Sequence, residues 1–192
     1  QASKDPLFAN ANYKNWSPNA IIFNSAQAFG TPSYWAQRLF MSNRGIEVLN
    51  AVNSSSSSED QHRQIAFSVS SDGHEIIIKI VNYSNETAVK LSLKLDSSPP
   101  PSLVRWEMIS GNEADENSFE DATRVAIHDM EVEVEEGGVP QLILPPMSIV
   151  CLRYPDADRH RPHSPMSTQY SQPHISHLQR SRKQPPHGYQ IV

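Results

Sequence analysis

The sequence predicts a mainly β protein: an antiparallel β-sandwich over residues 46–154, preceded by one β/α segment over 1–45 and followed by a disordered tail over 155–192. In the middle zone, short runs alternate apolar and polar residues, which is the pattern of strands with one buried face. Near the start, one segment carries apolar residues at helical spacing. The last zone is rich in Pro, His, Gln, Ser and Arg and has few aliphatic residues, so it cannot bury enough surface to offset chain entropy.

The β/α segment begins with a short apolar run at 20–23 and continues into one helix predicted over 31–44. Thr31 suits the N-cap, Pro32 the first helical position and Gly45 the C-terminal stop. Strand, loop and helix in this order form the unit from which parallel (β/α)8 barrels are assembled. A whole barrel takes about 250 residues, so we expect this segment to be the last unit of a barrel that the chain does not contain.

One face of the predicted helix is heavy in aromatic residues. It carries Tyr34, Trp35, Leu39 and Phe40 at helical spacing. We interpret this stripe as core-facing rather than as a surface that stacks on a ligand. Trp106 lies in an alternating run and is interpreted in the same way.

The predicted sandwich strands follow the alternation of the middle zone. Short alternating strands with turn signals between them favour an antiparallel sandwich over a parallel sheet. Residues 82–85 link two of the strands as a hairpin-sized turn. The predicted strands are 62–70, 74–81, 88–95, 103–110, 124–127, 130–134, 141–144 and 149–154.

Composition excludes two classes of partner. A net charge of -5 and a pI near 5.9 argue against nucleic acid or an anionic membrane surface. No apolar run approaches the roughly 20 residues needed to cross a bilayer. We therefore expect a soluble chain with no nucleic-acid and no membrane partner. It starts at Gln1 without a signal region, which we interpret as a cut through a longer protein.

Four asparagines begin Asn-X-Ser/Thr triplets in loop-like contexts, and each is a candidate for N-glycosylation. They are Asn15, Asn53, Asn82 and Asn85. These triplets favour a secreted protein, extracellular or in the cell wall.

Neither a cofactor nor a metal site is predicted. The single cysteine, Cys151, lies in an apolar run and is interpreted as a small buried hydrophobe rather than a reactive thiol. Five of the eight histidines lie in the tail, but their spacings match no standard set of metal ligands.

Several segments carry a resemblance to a known family. The segment WSPNAIIFNS at 16–25, continuing through GTPSYW at 30–35, strongly resembles α-L-arabinofuranosidases of glycoside hydrolase family 51, particularly those of plant and fungal type. Residues 6–8 resemble the end of their final barrel strand. Residues 115–119 and 144–148 resemble parts of their C-terminal domain. The matches keep the family's order along the chain.

The resemblance implies a (β/α)8 catalytic barrel joined to a C-terminal β-sandwich of jelly-roll type. The family removes terminal α-L-arabinofuranosyl groups from polysaccharides with retention of configuration, through one nucleophilic glutamate and one acid/base glutamate. The two carboxyls then sit about 5 Å apart across the sugar. In such barrels both project from the C-terminal ends of strands. We expect both glutamates upstream of Gln1.

One motif in the chain imitates a catalytic motif. Asn112-Glu113 copies the Asn-Glu pair that carries the acid/base in this clan, but it follows a strand inside the sandwich zone and is interpreted as a loop. His128 and Asp129 adjoin a strand end with no nucleophile near them in sequence. No catalytic residue is therefore predicted in this chain.

The sequence thus predicts the C-terminal fragment of an α-L-arabinofuranosidase, in which the sandwich supports the barrel. Its expected partners are the missing catalytic barrel in cis and, through the parent enzyme, an arabinose-containing polysaccharide or oligosaccharide. One alternative is a non-catalytic carbohydrate-binding sandwich, which needs exposed aromatics. The candidates are Tyr83, Trp106, Phe119 and Tyr154. The other alternative is a truncated product without a function of its own, left aggregation-prone by the apolar face of 18–45.

Overall fold

The computed structural model describes residues 7–13, 17, 19–53, 64–94, 105–129, 133–134, 140–156 and 189–191. Helix α1 spans Pro32–Ser42, and a short 3-10 helix spans Ala11–Tyr13. The strands are β1 Phe8–Asn10, β2 Ile21–Phe23, β3 Ala28–Gly30, β4 Glu47–Leu49, β5 Ala51–Asn53, β6 Ile65–Ser71, β7 Glu75–Asn82, β8 Val89–Lys94, β9 Arg105–Ser110, β10 His128–Asp129, β11 Glu133–Val134, β12 Pro140–Leu144, β13 Ser148–Pro155 and β14 Tyr189–Ile191. No helix in these ranges is long and apolar enough to span a membrane.

The strands form three sheets. The first has the order β1-β2-β3, with β1 parallel to β2 and β2 antiparallel to β3. The second has six antiparallel strands in the order β10-β9-β13-β7-β6-β4. The third has five strands in the order β11-β12-β8-β14-β5, antiparallel except for the pair β14–β5.

The main core lies between the six-stranded and five-stranded sheets. Alternate side chains of β6, β7 and β13 on one side meet alternate side chains of β8 and β12 on the other, as period-2 strands require. The buried members are Val69, Ile76, Ile78, Ile80, Val150, Leu152 and Tyr154 facing Leu91, Leu93, Leu142 and Leu144. This arrangement confirms the predicted mainly β class with a sandwich.

The six-stranded sheet is buried on its outer face as well. Ile77 and Cys151 point away from the main core, yet they are 0% and 2% exposed. In the sequence of residues 74–81, Ile76, Ile78 and Ile80 lie on one face and Lys79 on the other, which predicts a solvent-exposed outer face. In the structure, Ile77 lies on the same face as Lys79 and is buried. A strand covered on both sides carries a continuous apolar run, and that is what β7 and β13 show.

The helix is shorter than predicted. It begins at Pro32 after the N-cap Thr31, as expected, but it ends at Ser42 with Asn43 as C-cap. Gly45 is not the stop. A Cβ at Gly45 would lie 2.4 Å from Ser70 Oγ, so the glycine permits the chain to cross close to β6. The domain division at residue 45 stays a prediction.

The strand predicted at 124–127 is not formed. Asn117 explains why: its Oδ1 accepts the N–H of Val125 at 2.8 Å, and its Nδ2 donates to the carbonyl of Val125 at 2.9 Å. Both backbone groups that a sheet ladder would use are therefore occupied by one side chain. The next strand is only the two-residue β10, which pairs with β9.

Within the segment predicted as a disordered tail, the structure describes residues 155–156 and 189–191, and the disorder of the tail stays a prediction. Pro155 is the last residue of β13, and the Asp156 N–H donates to the His74 carbonyl at 2.9 Å. At the other end, β14 lies between β5 and β8, and its backbone N–H and carbonyl groups pair with those of both neighbouring strands. Residues 157–188, with all five tail histidines, lie outside the described residues.

Candidate functional site

Helix α1 packs onto the outer face of the six-stranded sheet, and we call this contact the junction. Leu39 is the helix's buried residue, at 1% exposed. It lies in a second apolar cluster with Ile77 of β7, Ile109 of β9, Cys151 of β13 and Val125 of the loop after β9. The β/α segment is therefore joined to the sandwich by a dry core of its own.

A buried carboxylate ties the end of the helix to β9. Asn43 is 0% exposed, and its Nδ2 donates to the Leu39 carbonyl and to Glu107 Oε2, both at 2.9 Å. The other oxygen of Glu107 accepts a hydrogen bond from Arg105 at 2.6 Å. Glu107 is 5% exposed, so these partners offset the cost of burying its charge.

Arg153 of β13 forms a second polar connection at the same end of the helix. Its guanidinium donates to Glu75 Oε2, to Asp72 Oδ2 and, at 3.3 Å, to Asn43 Oδ1. Burial alone would raise the pKa of Asp72. The N–H groups of His74 and Glu75 and the charge of Arg153 outweigh burial, so the pKa of Asp72 lies below its ordinary value.

A third connection joins β3 to the loop after β9. The Asn117 amide that holds Val125 also donates from Nδ2 to the Gly30 carbonyl at 2.8 Å. Beside it, the rings of Phe29 and Phe119 meet edge to face, with centroids 4.9 Å apart. These contacts fix the entry to the helix against the sandwich, as Asn43 and Arg153 fix its exit.

Two cavities of about 290 Å³ each open along the junction. One lies beside Trp35 and Glu107 of the helix–β9 contact. The other lies at the start of the helix, beside Thr31, Glu113 and Glu116. Both glutamates of the second cavity are exposed, whereas a glycosidase acid works in desolvated surroundings.

The three residues that the sequence analysis considered for catalysis, Glu113, His128 and Asp129, lie on a turn and on an edge strand. Glu113 lies in a turn in which the Asp115 N–H donates to the Asn112 carbonyl at 3.0 Å. His128 and Asp129 form the exposed edge strand β10. That the chain carries no catalytic residue stays a prediction, and these placements support it.

The aromatic side chains mostly pack inside the protein. Trp106 packs against the main core, Tyr154 is 1% exposed, and Phe119 contacts Phe29. Of the four candidates for a sugar-stacking platform, Tyr83 alone is largely exposed, at 53%. The helix stripe is core-facing at Leu39 and, in part, at its aromatic members, although Phe40 is 38% exposed with Lys79 Nζ 5.5 Å from its ring.

The glycosylation candidates separate by burial. Asn82 is 0% exposed, and its Nδ2 donates to three backbone carbonyls, which argues against a glycan on this side chain. Asn85 is exposed in the following turn. Asn15 and the side chain of Asn53 lie outside the described residues.

Cys151 is buried and unpaired with another cysteine, as predicted. Burial raises the pKa of its thiol to about 12, so the reactive thiolate is scarce at neutral pH. Within the described ranges, no group of three or more His, Cys, Asp or Glu side chains could hold a metal ion.

Apolar side chains remain exposed at the start of the chain and on the outer side of α1. Leu7, Phe8, Tyr13 and Met41 are 49%, 59%, 79% and 63% exposed. Among the described strands, β1 pairs only with β2, so its other edge is unpaired. An unpaired strand edge beside exposed apolar side chains is typical of a surface that another part of a protein covers.

Comparison with known proteins identifies the family. Residues 2–148 match the model of the α-L-arabinofuranosidase C-terminal domain. The chain belongs to this family. It is 35% identical over 156 residues to α-L-arabinofuranosidase 1 of Arabidopsis thaliana and 31% identical over 144 residues to α-L-arabinofuranosidase 2 of the same plant. These alignments cover 77% and 74% of this chain but 22% and 21% of the relatives, so the chain spans about a fifth of their length.

Other relatives agree over shorter or more distant stretches. An enzyme of Streptomyces chartreusis named extracellular exo-α-L-arabinofuranosidase is 40% identical over 48 residues, which is 25% of this chain and 6% of that protein. An arabinose-bound family-51 α-L-arabinofuranosidase superposes with a TM-score of 0.63 at 18% identity, covering 79% of this chain and 24% of the other. The Thermotoga maritima enzyme gives 0.57 at 18% identity, covering 71% and 31%. These two likenesses show the fold.

Sequence reasoning missed the polar residues that hold the junction together. The partners of Asn43, Glu107, Asn117 and Arg153 across the junction are distant in sequence, so no local pattern pairs them. One signal was present. Arg153 interrupts an otherwise apolar strand, and a charge inside a buried strand calls for a paired carboxylate.

Proposed function

We propose that this chain is the C-terminal structural part of an enzyme that hydrolyses terminal non-reducing α-L-arabinofuranosyl residues. The junction carries the proposal. A β/α segment that cannot stand alone is anchored to the sandwich by a buried apolar cluster and by three hydrogen-bonded connections. The sandwich is thus built to hold the last unit of a barrel in place.

The catalytic barrel in cis is the proposed partner of the exposed surface around β1. A barrel strand is paired on both edges, whereas β1 is paired on one edge among the described strands. Burying Leu7 and Phe8 against neighbouring barrel strands would remove their apolar surface from water, at about 25 cal/mol per Å² buried. The substrate would be an arabinose-containing polysaccharide or oligosaccharide that contacts this chain only at the rim of the barrel.

The proposed mechanism places the chemistry outside this chain. Retaining hydrolysis uses a glutamate nucleophile and a glutamate acid/base about 5 Å apart, which form and then hydrolyse a glycosyl-enzyme intermediate. We place both upstream of Gln1. The exposed turn at Glu113 and the exposed edge at Asp129 provide no desolvated carboxylate for either role.

Hydrolysis of an aryl α-L-arabinofuranoside tests the proposal. The 192-residue chain should be inactive, and the same chain extended upstream through the barrel should be active. In the extended protein, Glu113→Gln should leave kcat/KM unchanged, since the side chain lies on a turn. Activity of the short chain after rigorous purification, or loss of activity in Glu113→Gln, would overturn the assignment.

We also infer that the parent enzyme is secreted. The accessible triplet at Asn85 supports this inference, and the Streptomyces relative is named as extracellular. When the chain is expressed in a eukaryotic secretion host, a glycan on Asn85 should slow its migration on a gel. The Asn85→Gln variant should lack this glycan and migrate faster. An Asn85→Gln variant that runs like the parent chain, before and after peptide N-glycosidase, would remove this support.

A further inference from the structure

Strand β14 fills a gap in the five-stranded sheet. It pairs in parallel with β5, Tyr189 opposite Ala51 and Ile191 opposite Asn53. On its other side it pairs antiparallel with the end of β8, Ile191 opposite Leu93. Among the described strands, β5 has no other ladder partner, so β5 belongs to this sheet only through β14.

The gap has the width of one strand. Neighbouring strands lie about 4.8 Å apart, so β5 and β8 are separated by about 10 Å, twice that spacing. At that separation they cannot pair with each other. Without an occupant, both would present unpaired N–H and carbonyl groups, which are costly to bury and prone to pair with other chains. We call the space between β5 and β8 the acceptor groove.

The acceptor groove lies over the edge of the main core. Leu93 of β8 is 3% exposed and belongs to the core, while Leu49 and Ala51 pack against it from the β4–β5 side. The chain passes from β4 in the six-stranded sheet to β5 in the other sheet at Asn50, so this is the flank of the sandwich.

The occupant arrives from far along the chain. Strand β13 ends at Pro155, and β14 begins at Tyr189. Because 33 residues (156–188) separate the two strands, β14 is not the second strand of a tight hairpin with β13. A short strand on a long connection is bound mainly through its backbone ladder and through its raised local concentration.

We propose that the acceptor groove is a binding site for an extended peptide segment, and that residues 189–191 of the same chain occupy it as a detachable strand. Backbone ladders on both sides provide the affinity. Recognition requires an extended segment with an N–H at each position.

Peptide binding in trans tests the proposal. A variant that lacks 187–192 should unfold at a lower temperature than the 192-residue chain. It should also bind a fluorescent synthetic peptide of residues 186–192, measured by anisotropy. The complete chain should bind the same peptide at least tenfold more weakly, because its own strand competes. A peptide with proline in place of Gln190 should not bind, since proline lacks the ladder donor.

Hydrogen exchange in the complete chain provides a test that does not require the deletion to fold. Gln190→Pro should speed exchange of the amides of β5 and of residues 93–94 at least tenfold, whereas the matched Gln190→Ala should not. The amides of β13 should be unaffected in both variants.

Three results would overturn the proposal. The first is unchanged melting and no peptide binding by the deletion variant. The second is equal peptide binding by the deletion variant and the complete chain. The third is a dimer of the complete chain that light scattering detects and the deletion abolishes, because the occupant would then come from a second copy. None of these results depends on glycosidase activity.

Discussion

Replacing Leu39 by alanine tests whether the junction holds the β/α segment to the sandwich. Leu39 is 1% exposed and contacts side chains of three elements of the sandwich region. The substitution removes three buried carbon groups, worth about 0.8 kcal/mol each, and leaves a cavity that the rigid sheet cannot fill. We expect a loss of about 3 kcal/mol in the free energy of unfolding, within the range for buried leucines.

Urea unfolding followed by tryptophan fluorescence measures the effect, since Trp35 packs against the same cluster. Met41→Ala is the matched control on the same helix, because Met41 is 63% exposed and its truncation should change the free energy by less than about 0.5 kcal/mol. Equal small losses in the two variants would refute the reasoning, since they would mean that α1 does not depend on the sheet.

Three further outcomes are expected. Arg153→Met should cost about 2 kcal/mol in urea unfolding, less than a fully buried pair because its two carboxylates are 23% and 25% exposed. Arg124→Met is the matched control, because its ion pair is exposed and its loss should leave the unfolding midpoint nearly unchanged. Because the pKa of Asp72 in the folded chain lies below its ordinary value of 3.8, the ionised carboxylate stabilises the fold at pH values above 3.8. This stabilisation is lost as the pH falls through the lowered pKa. The Asp72→Asn variant should therefore be less stable than the parent chain at pH 7, but should lose less stability than the parent chain between pH 5 and pH 3. Cys151 should react with a disulfide reagent at pH 8 only after urea unfolds the chain, and fast labelling of the native chain would contradict its burial.

The main core could be predicted from the sequence because a strand with one solvent-exposed face shows alternating apolar and polar residues. In the predicted strand 88–95, Leu91 and Leu93 alternate with polar residues, and both are buried. The outer face of the six-stranded sheet could not be found by alternation. Ile77 and Cys151 interrupt the period of two because α1 covers them, and nothing local in the sequence shows which element provides that cover.

The helix ends show a second limit. Thr31 and Gly45 fit the statistics of caps, but neither acts through capping chemistry at its predicted place. The Thr31 hydroxyl donates to the Asn19 carbonyl at 2.6 Å instead of capping the helix, and Gly45 is required by its approach to Ser70. Tertiary contacts decided the role of both residues, and cap preferences describe only the local part of the free energy.

The junction also bears on whether residue 45 separates two independent units. Domain boundaries usually fall in linkers that make few contacts with the rest of the protein. Here the backbone at Gly45 packs against Ser70, and the Ile46 N–H donates to the Ser71 carbonyl at 2.8 Å. The Asn43 amide lies between the helix end, Glu107 and Arg153, so moving the helix would remove one of the two hydrogen bonds that the buried Glu107 carboxylate accepts. The β/α segment and the sandwich should therefore unfold together.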